Sequence, residues 1–498
     1  MKIDQISLKN YRCFADLSVA FHPQLTVIVA PNGQGKTAVL DAIKVALWPY
    51  VAGFDMGSTT NDITGIHNDD VRREQVQSHE MEWRLPADIQ AMGRLQVRQL
   101  VLDGTLRNPV PDARGLFATF HPDVPWQGSR YRESVKKNTK TKDLILAKAL
   151  NINATAKALE QRIFSGEQKT PDDLPMLGYY GTGRLWAQKK LTASHDKADS
   201  ETQSRTFAYR DCLDPASSYK HFAVWFSRIH QSYFQAQIRN IEKRLPRYAD
   251  VPYGLIAPFK AVQQAVNSIL KPHTGWHTLE YSAEHEELVL NHDQHGELKV
   301  SQLSDGIRNM LALVGDIAYR CYKLNAHMGE AAPQRTHGIV MIDEVDMHLH
   351  PGWQQTVLTD LVNAFPELQF IVTTHSPQVL TSVDASCIRL LHQETDPETG
   401  QQQTGVAPAT MQTRGVASSD LLAKIMGVDP IPDVPEARML SEYHALIQQN
   451  LHADADGMAL RAQLEGHFGA NHPVMHECER MIRLQAFKQK LPIAKTGE

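Results

Sequence analysis

The 498-residue chain predicts an α/β fold built on a parallel sheet, and three observations carry that expectation. An apolar run, Leu25–Val29, leads into Ala30-Pro31-Asn32-Gly33-Gln34-Gly35-Lys36-Thr37 and then into an apolar-periodic segment, Ala38–Trp48. A second run, Gly338–Ile342, is apolar throughout and ends in Asp343-Glu344. A third, Leu368–Thr374, ends in His375-Ser376-Pro377. Strands buried on both faces of a parallel sheet lose polar–apolar alternation, and their carboxyl ends are where open α/β sheets place ligands.

The first element reads as strand, glycine loop and helix, the context a phosphate-binding loop requires. Glycines let backbone N–H groups turn toward phosphate oxygens, and the helix N-terminus adds partial positive charge. Asn32, Gly33 and Gly35 belong to that cradle. Lys36 would reach the β and γ phosphates, and Thr37 would offer a hydroxyl to Mg²⁺. Ala30 stands where the pattern has its first Gly, which is tolerable if its φ stays negative.

The second and third elements supply the chemistry expected beside such a loop. Asp343 would hold Mg²⁺ through water, and Glu344 would polarise the water that attacks the γ-phosphate of ATP. Acids also decorate ordinary solvated strand ends, and a lone histidine after a strand is commonly structural. Here His375 follows the next apolar run after the acids, so a hydrogen bond to the γ-phosphate or attacking water is the favoured reading.

With these residues assembled, the chain resembles the ABC-type ATPases, in their RecF/SMC-like branch. The resemblance implies that Lys36 and Thr37 are the Walker A lysine and hydroxyl, Asp343 and Glu344 the Walker B pair, and His375 the switch histidine. Val345-Asp346 falls at the D-loop, and Ile6–Phe14 resembles the first strand and turn, which sets Arg12 at the nucleotide. Leu303-Ser304-Asp305-Gly306 resembles the signature motif and heads an apolar helix, Ile307–Tyr322. Asp305 replaces a glycine there, and Ile307 stands where Gln is common. The family's geometry implies a homodimer or higher oligomer of ATP-sandwiched heads, in which Ser304 and Gly306 cap the γ-phosphate of the opposite subunit.

The blocks Tyr179–Trp186, Leu303–Leu313, Ile342–Trp353 and Phe370–Leu380 are similar to the PtuA-like ATPases of Septu and retron-associated anti-phage systems. That likeness implies a nucleotide-controlled switch for a partner effector nuclease of HNH type, with DNA or a non-coding RNA/DNA as a further partner. The alternative is a RecF-like DNA repair clamp that binds duplex DNA. A nucleotide-gated scaffold that barely turns over is a third reading, against which the intact Asp343-Glu344 pair speaks. No Q-loop glutamine is evident, and a turn at Tyr179–Gly183 would take its place.

Composition narrows the setting. A net charge of −5 excludes a globally basic nucleic-acid coat while leaving room for a local basic groove. Five scattered cysteines form neither a zinc pattern nor a disulfide framework, as expected in a reducing cytoplasm. No apolar stretch of about 18 residues predicts a membrane span.

The expected organisation is a first ATPase lobe over 1–105, a mainly helical insertion over 106–270, a second lobe over 271–395, and a helical C-terminal extension over 396–498 that offers a docking face. Phe222, Trp225, Phe226, Ile229, Tyr233, Ile238, Ile241 and Leu245 recur near helical spacing in the insertion. Lys136, Lys137, Lys140 and Lys142, and Lys189-Lys190, are short basic clusters that solvated loops commonly carry. In the tail, Asp454 and Asp456 lack the strand that paired nuclease acids need. His472, His476 and Cys478 lack a fourth ligand for zinc. No nuclease site is predicted in this chain.

Overall fold

The computed structural model describes residues 1–55, 65–77, 80–98, 120–136, 139–145, 150–165, 171–184, 204–215, 219–242, 253–395 and 402–490. They form two compact units, Met1–Leu421 and Leu422–Glu498.

The first unit opens with a hairpin of β1 (Lys2–Tyr11) and β2 (Phe14–Ala20), in which Ile6 faces Val19 and Leu8 faces Leu17. β3 (Leu25–Val29) delivers the chain through the glycine loop to α1 (Lys36–Val51). β4 (Arg73–Gln77) and β5 (Glu80–Trp83) make a small hairpin. β6 (Ala87–Arg98) returns beside β1, and β7 (Phe120–Arg132) and β8 (Lys142–Ile145) extend an antiparallel sheet of order β2-β1-β6-β7-β8. α2 (Ile152–Ser165) then packs on α1.

β9 (Met176–Tyr180) leaves for a second sheet. Two long helices, α3 (Tyr219–Glu242) and α4 (Tyr253–Thr274), pack together and precede a three-stranded sheet of β10 (Trp276–Ser282), β11 (Glu287–His292) and β12 (Gly296–Lys299). α5 (Asp305–Leu324) follows, then β13 (Gly338–Ile342), α6 (Val357–Ala364), β14 (Leu368–Thr374), β15 (Ile388–Thr395) and β16 (Gln402–Pro408).

The second sheet has the order β16-β15-β3-β14-β13-β9, parallel from β15 to β9, with β16 antiparallel on its edge. Every residue of β13, β14 and β9 is buried, which is why these runs do not alternate. Each Val, Ile, Leu or Phe so buried contributes about 1.5–3 kcal/mol relative to exposure. The α/β expectation is therefore met, with the ends of β3, β13 and β14 brought side by side.

Three boundaries differ from expectation. The segment 106–270 is not simply a helical insertion: β7 and β8 complete the first sheet, and β9 belongs to the second. Tyr179 and Tyr180 end a strand, and the turn starts at Gly181. A five-residue strand buried on both faces has no alternation to betray it, so the Gly178 and Gly181 that flank the tyrosines read as a turn. The boundary expected at 396 falls within the β15–β16 hairpin, and the first unit continues to Leu421. Lys142 pairs with Glu133, whereas Lys137, Lys189, Lys190 and Leu245 lie outside the described residues.

The second unit contains α7 (Pro435–Gln448), α8 (Ala455–Phe468) and α9 (Pro473–Lys490) around a core of Tyr443, Ile447, Leu464, Met475 and Cys478. Asp454 occupies the cap position of α8, and Asp456 lies in its first turn, where carboxylates complement the helix dipole. His472 Nδ1 accepts the Val474 N–H at the start of α9. Among the described residues, no three His, Cys, Asp or Glu side chains are grouped to hold a metal, and no helix is long and apolar enough to cross a membrane.

Candidate active site

The glycine loop is shaped by two residues with positive φ, Gly33 at 80° and Gly35 at 89°. Gly35 is required twice over. A Cβ there would adopt a strained backbone and would also sit 2.5 Å from Phe14 Cζ. Ala30 has no positive φ, which removes the objection to an alanine at that position. Lys36 is buried, and its Nζ donates to the carbonyls of Ala30 at 2.7 Å and Pro31 at 3.1 Å. Burial pushes its pKa down, against the pull of Asp343, Glu344 and Asp346. Three carboxylates therefore share the electrostatic surroundings of this one ammonium.

Thr37 Oγ1 donates to Asp343 Oδ2 at 2.8 Å, tying the start of α1 to the end of β13. Asp343 Oδ1 accepts from Thr373 Oγ1 at 2.5 Å, and the Glu344 N–H donates to the same Thr373 oxygen at 2.8 Å. Glu344 adopts a positive φ of 48°, an uncommon conformation for its residue type. The next threonine repeats the device, with Thr374 Oγ1 donating to Asp346 Oδ1 at 2.6 Å. His375 follows directly and is exposed. Thr37 and Asp343 offer hydroxyl and carboxylate oxygens, the hard donor set that Mg²⁺ takes. These residues fit that ion.

Comparison with known proteins shows what kind of protein carries this site. Two profiles described as AAA domains match residues 5–248 and 215–381. The chain is 26% identical to the "Retron Ec83 probable ATPase" of Escherichia coli over 97% of its own length and 86% of that protein. It is 46% identical to the "Retron Vc95 probable ATPase" of Vibrio cholerae serotype O1 biovar El Tor, over 20% of this chain and 18% of the relative. It is 32% identical to the Septu protein PtuA of Bacillus mycoides over 30% of this chain and 20% of the relative. The chain is an ATPase, similar to the retron and Septu ATPases. It binds nucleotide.

In this ATPase Ser304 is the exposed cap residue of α5, followed by an exposed Asp305 and a buried Gly306. A Cβ on Gly306 would stand 2.5 Å from the His348 carbonyl oxygen. Asn309 Nδ2 donates to the Met347 carbonyl at 3.3 Å, so α5 packs closely on the segment that follows Asp346. Asp305 pairs with Arg308 one turn along. Among the described residues, no hydrogen bond joins Ser304 to the glycine loop.

Arg12, expected at the nucleotide, has a guanidinium already engaged: Nη1 donates to Asp41 on α1 at 2.6 Å and Nε to Asp70 at 2.8 Å. Burial together with the nearby charges of Asp41 and Asp343 drives the Tyr179 phenol pKa upward. The register Tyr180 to Ile342 sets the turn Gly181–Arg184 beside Asp343, and that turn contains no glutamine.

Sequence reasoning assigned no role to Thr373, Thr374 or Asp41, and placed Tyr179 in a turn. Two hydroxyl residues closing an otherwise apolar strand were the available signal for the threonines. Nothing local marks Asp41, which comes near Tyr179 only through the packing of α1 on the sheet.

Proposed function

We propose that this ATPase binds Mg-ATP in the glycine loop, hydrolyses it with Glu344, and acts as a nucleotide-controlled switch for a partner effector nuclease in anti-phage defence. The observation that carries the site assignment is the bonding of Thr37 and Thr373 to the two oxygens of Asp343. Asn32, Gly33, Gly35 and Lys36 bind the phosphates, and Thr37 and Asp343 hold Mg²⁺, which neutralises phosphate charge when bound. Glu344 orients and polarises the attacking water, and the exposed His375 hydrogen-bonds the γ-phosphate. Asp346 borders the site, and Arg12 steadies α1 through Asp41.

Ser304 and Gly306 act in trans, capping ATP bound by a second copy in a dimer or higher oligomer. Support for the switch role comes from the likeness to a retron ATPase along nearly the whole chain. The nuclease is of HNH type, and DNA or a non-coding RNA/DNA is the ligand that the assembled complex would sense.

Co-purification with the product of the neighbouring gene, with mass measured with and without ATP, tests this. A stable complex with a small HNH-type protein is the expected result. A chain that purifies alone, dimerises only with ATP and then binds duplex DNA would replace the switch by a DNA clamp.

A further inference from the structure

We propose that Tyr180 and Asp316 are positioning residues for ATP hydrolysis, joining Asp343 to the helix that begins at Ser304. The inference rests on the roles proposed above for Asp343 and Ser304.

Tyr180 ends β9, and its carbonyl accepts the Asp343 N–H at 2.8 Å. Its phenol O–H donates to Asp316 Oδ2, also at 2.8 Å. Asp316 lies on α5, about three turns beyond Asp305. The same Asp316 oxygen accepts from Arg320 Nε at 2.7 Å, and Arg320 Nη1 donates to the carbonyls of Ala208 and Arg210. The Arg320 and Asp316 side chains are 2% and 1% exposed. One residue thus holds the backbone of Asp343 with its carbonyl and α5 with its side chain.

A buried ion pair is a poor way to gain stability. Desolvating both charges offsets most of their attraction, and apolar residues of similar volume often serve as well or better. A phenol, a carboxylate and a guanidinium in one hydrogen-bonded group are stricter about geometry than an apolar contact. They set one rotation and one height of α5 against β9. Ser304 at the head of α5 and Asp343 beside β9 then keep a defined relation. Reacting groups need this, because a displacement near 1 Å can lower rates about a hundredfold. The Arg320 bonds to Ala208 and Arg210 fasten the segment before α3 to the same point, and Phe222 on α3 packs against Gly315 of α5.

The test uses the full chain. Tyr180→Phe removes only the phenolic oxygen, and kcat is expected to fall at least tenfold while the Kd for Mg-ATP changes less than twofold. The triple variant Tyr180→Phe, Asp316→Leu, Arg320→Met replaces the group by apolar side chains. It is expected to keep a wild-type Tm and still hydrolyse slowly. A triple variant with wild-type kcat would show the group to be structural only and overturn the proposal, as would unchanged kcat in Tyr180→Phe. Should the triple variant not fold, kcat against Kd in Tyr180→Phe decides alone. Asp343→Asn in the same assay separates the two levels. If it remains active, the assignment of Asp343 fails; if it is inactive while Tyr180→Phe is normal, only the present inference fails.

Discussion

Thr37 and Asp343, 306 residues apart in sequence, meet in a 2.8 Å hydrogen bond. The bond joins the first turn of α1 to the end of β13. The glycine loop and the acidic strand end are therefore tied directly to each other.

Glu344→Gln keeps the size of the side chain but removes the carboxylate proposed as base. Turnover is expected to fall by about 10²–10⁴, the usual range for a positioned general base. Nucleotide affinity should change little, because the loop and Asp343 are untouched. Single-turnover hydrolysis and binding of a fluorescent ATP analogue measure the two quantities. Hydrolysis at the wild-type rate would remove Glu344 from the mechanism.

Gly35→Ala places a Cβ at a φ of 89° and 2.5 Å from Phe14 Cζ. The left-handed conformation alone costs roughly 1–3 kcal/mol. A lowered Tm and at least tenfold weaker ATP binding are expected. Gly128→Ala, with nothing within 4 Å of its added Cβ, is the matched control and should bind ATP normally.

Thr373→Val is nearly isosteric yet removes the hydroxyl shared by Asp343 and the Glu344 N–H. Loss of a buried partner costs about 1–3 kcal/mol, so denaturant unfolding should shift by that amount. The Asp343 carboxylate is then less firmly oriented, and kcat should fall further than the change in stability requires. Equal kcat in variant and wild type would make Thr373 a scaffold residue only.

His230 is buried among Phe226, Phe234 and Phe259, and burial lowers its pKa from 6.5 to about 4. The folded state therefore favours the neutral ring. Its contribution to stability is complete above pH 6.5 and is lost progressively as pH falls from 6.5 to the folded value of about 4. Thermal unfolding at pH 7 and pH 5 should show a smaller loss of Tm in His230→Phe than in wild type. Equal losses would assign the acid sensitivity elsewhere.

The candidate ATP-site residues could be picked out of the sequence for a physical reason. A phosphate loop is made of consecutive backbone groups, so its chemistry must be written locally, as in Asn32 to Thr37. β13 and β14 are buried on both faces, and their mainly apolar runs pointed to Asp343, Glu344 and His375 at the ends. The tail likewise announced its faces, because Tyr443 and Ile447 repeat at helical spacing and both enter the core of the second unit.

β9 was illegible because five residues give no period, and its neighbour β13 lies over 150 residues away. Thr373 could be noticed on its strand, but its tie to Asp343 and Glu344 exists only once β14 lies beside β13. Arg12, Asp41 and Tyr179 come together from three elements, and no spacing encodes their meeting. The candidate ATP chemistry could be read along the chain, since it belongs to contiguous turns and strand ends. Only the tertiary structure decided what orients it, because Tyr180, Asp316 and Arg320 become one group through sheet order and helix packing, which arise between distant segments.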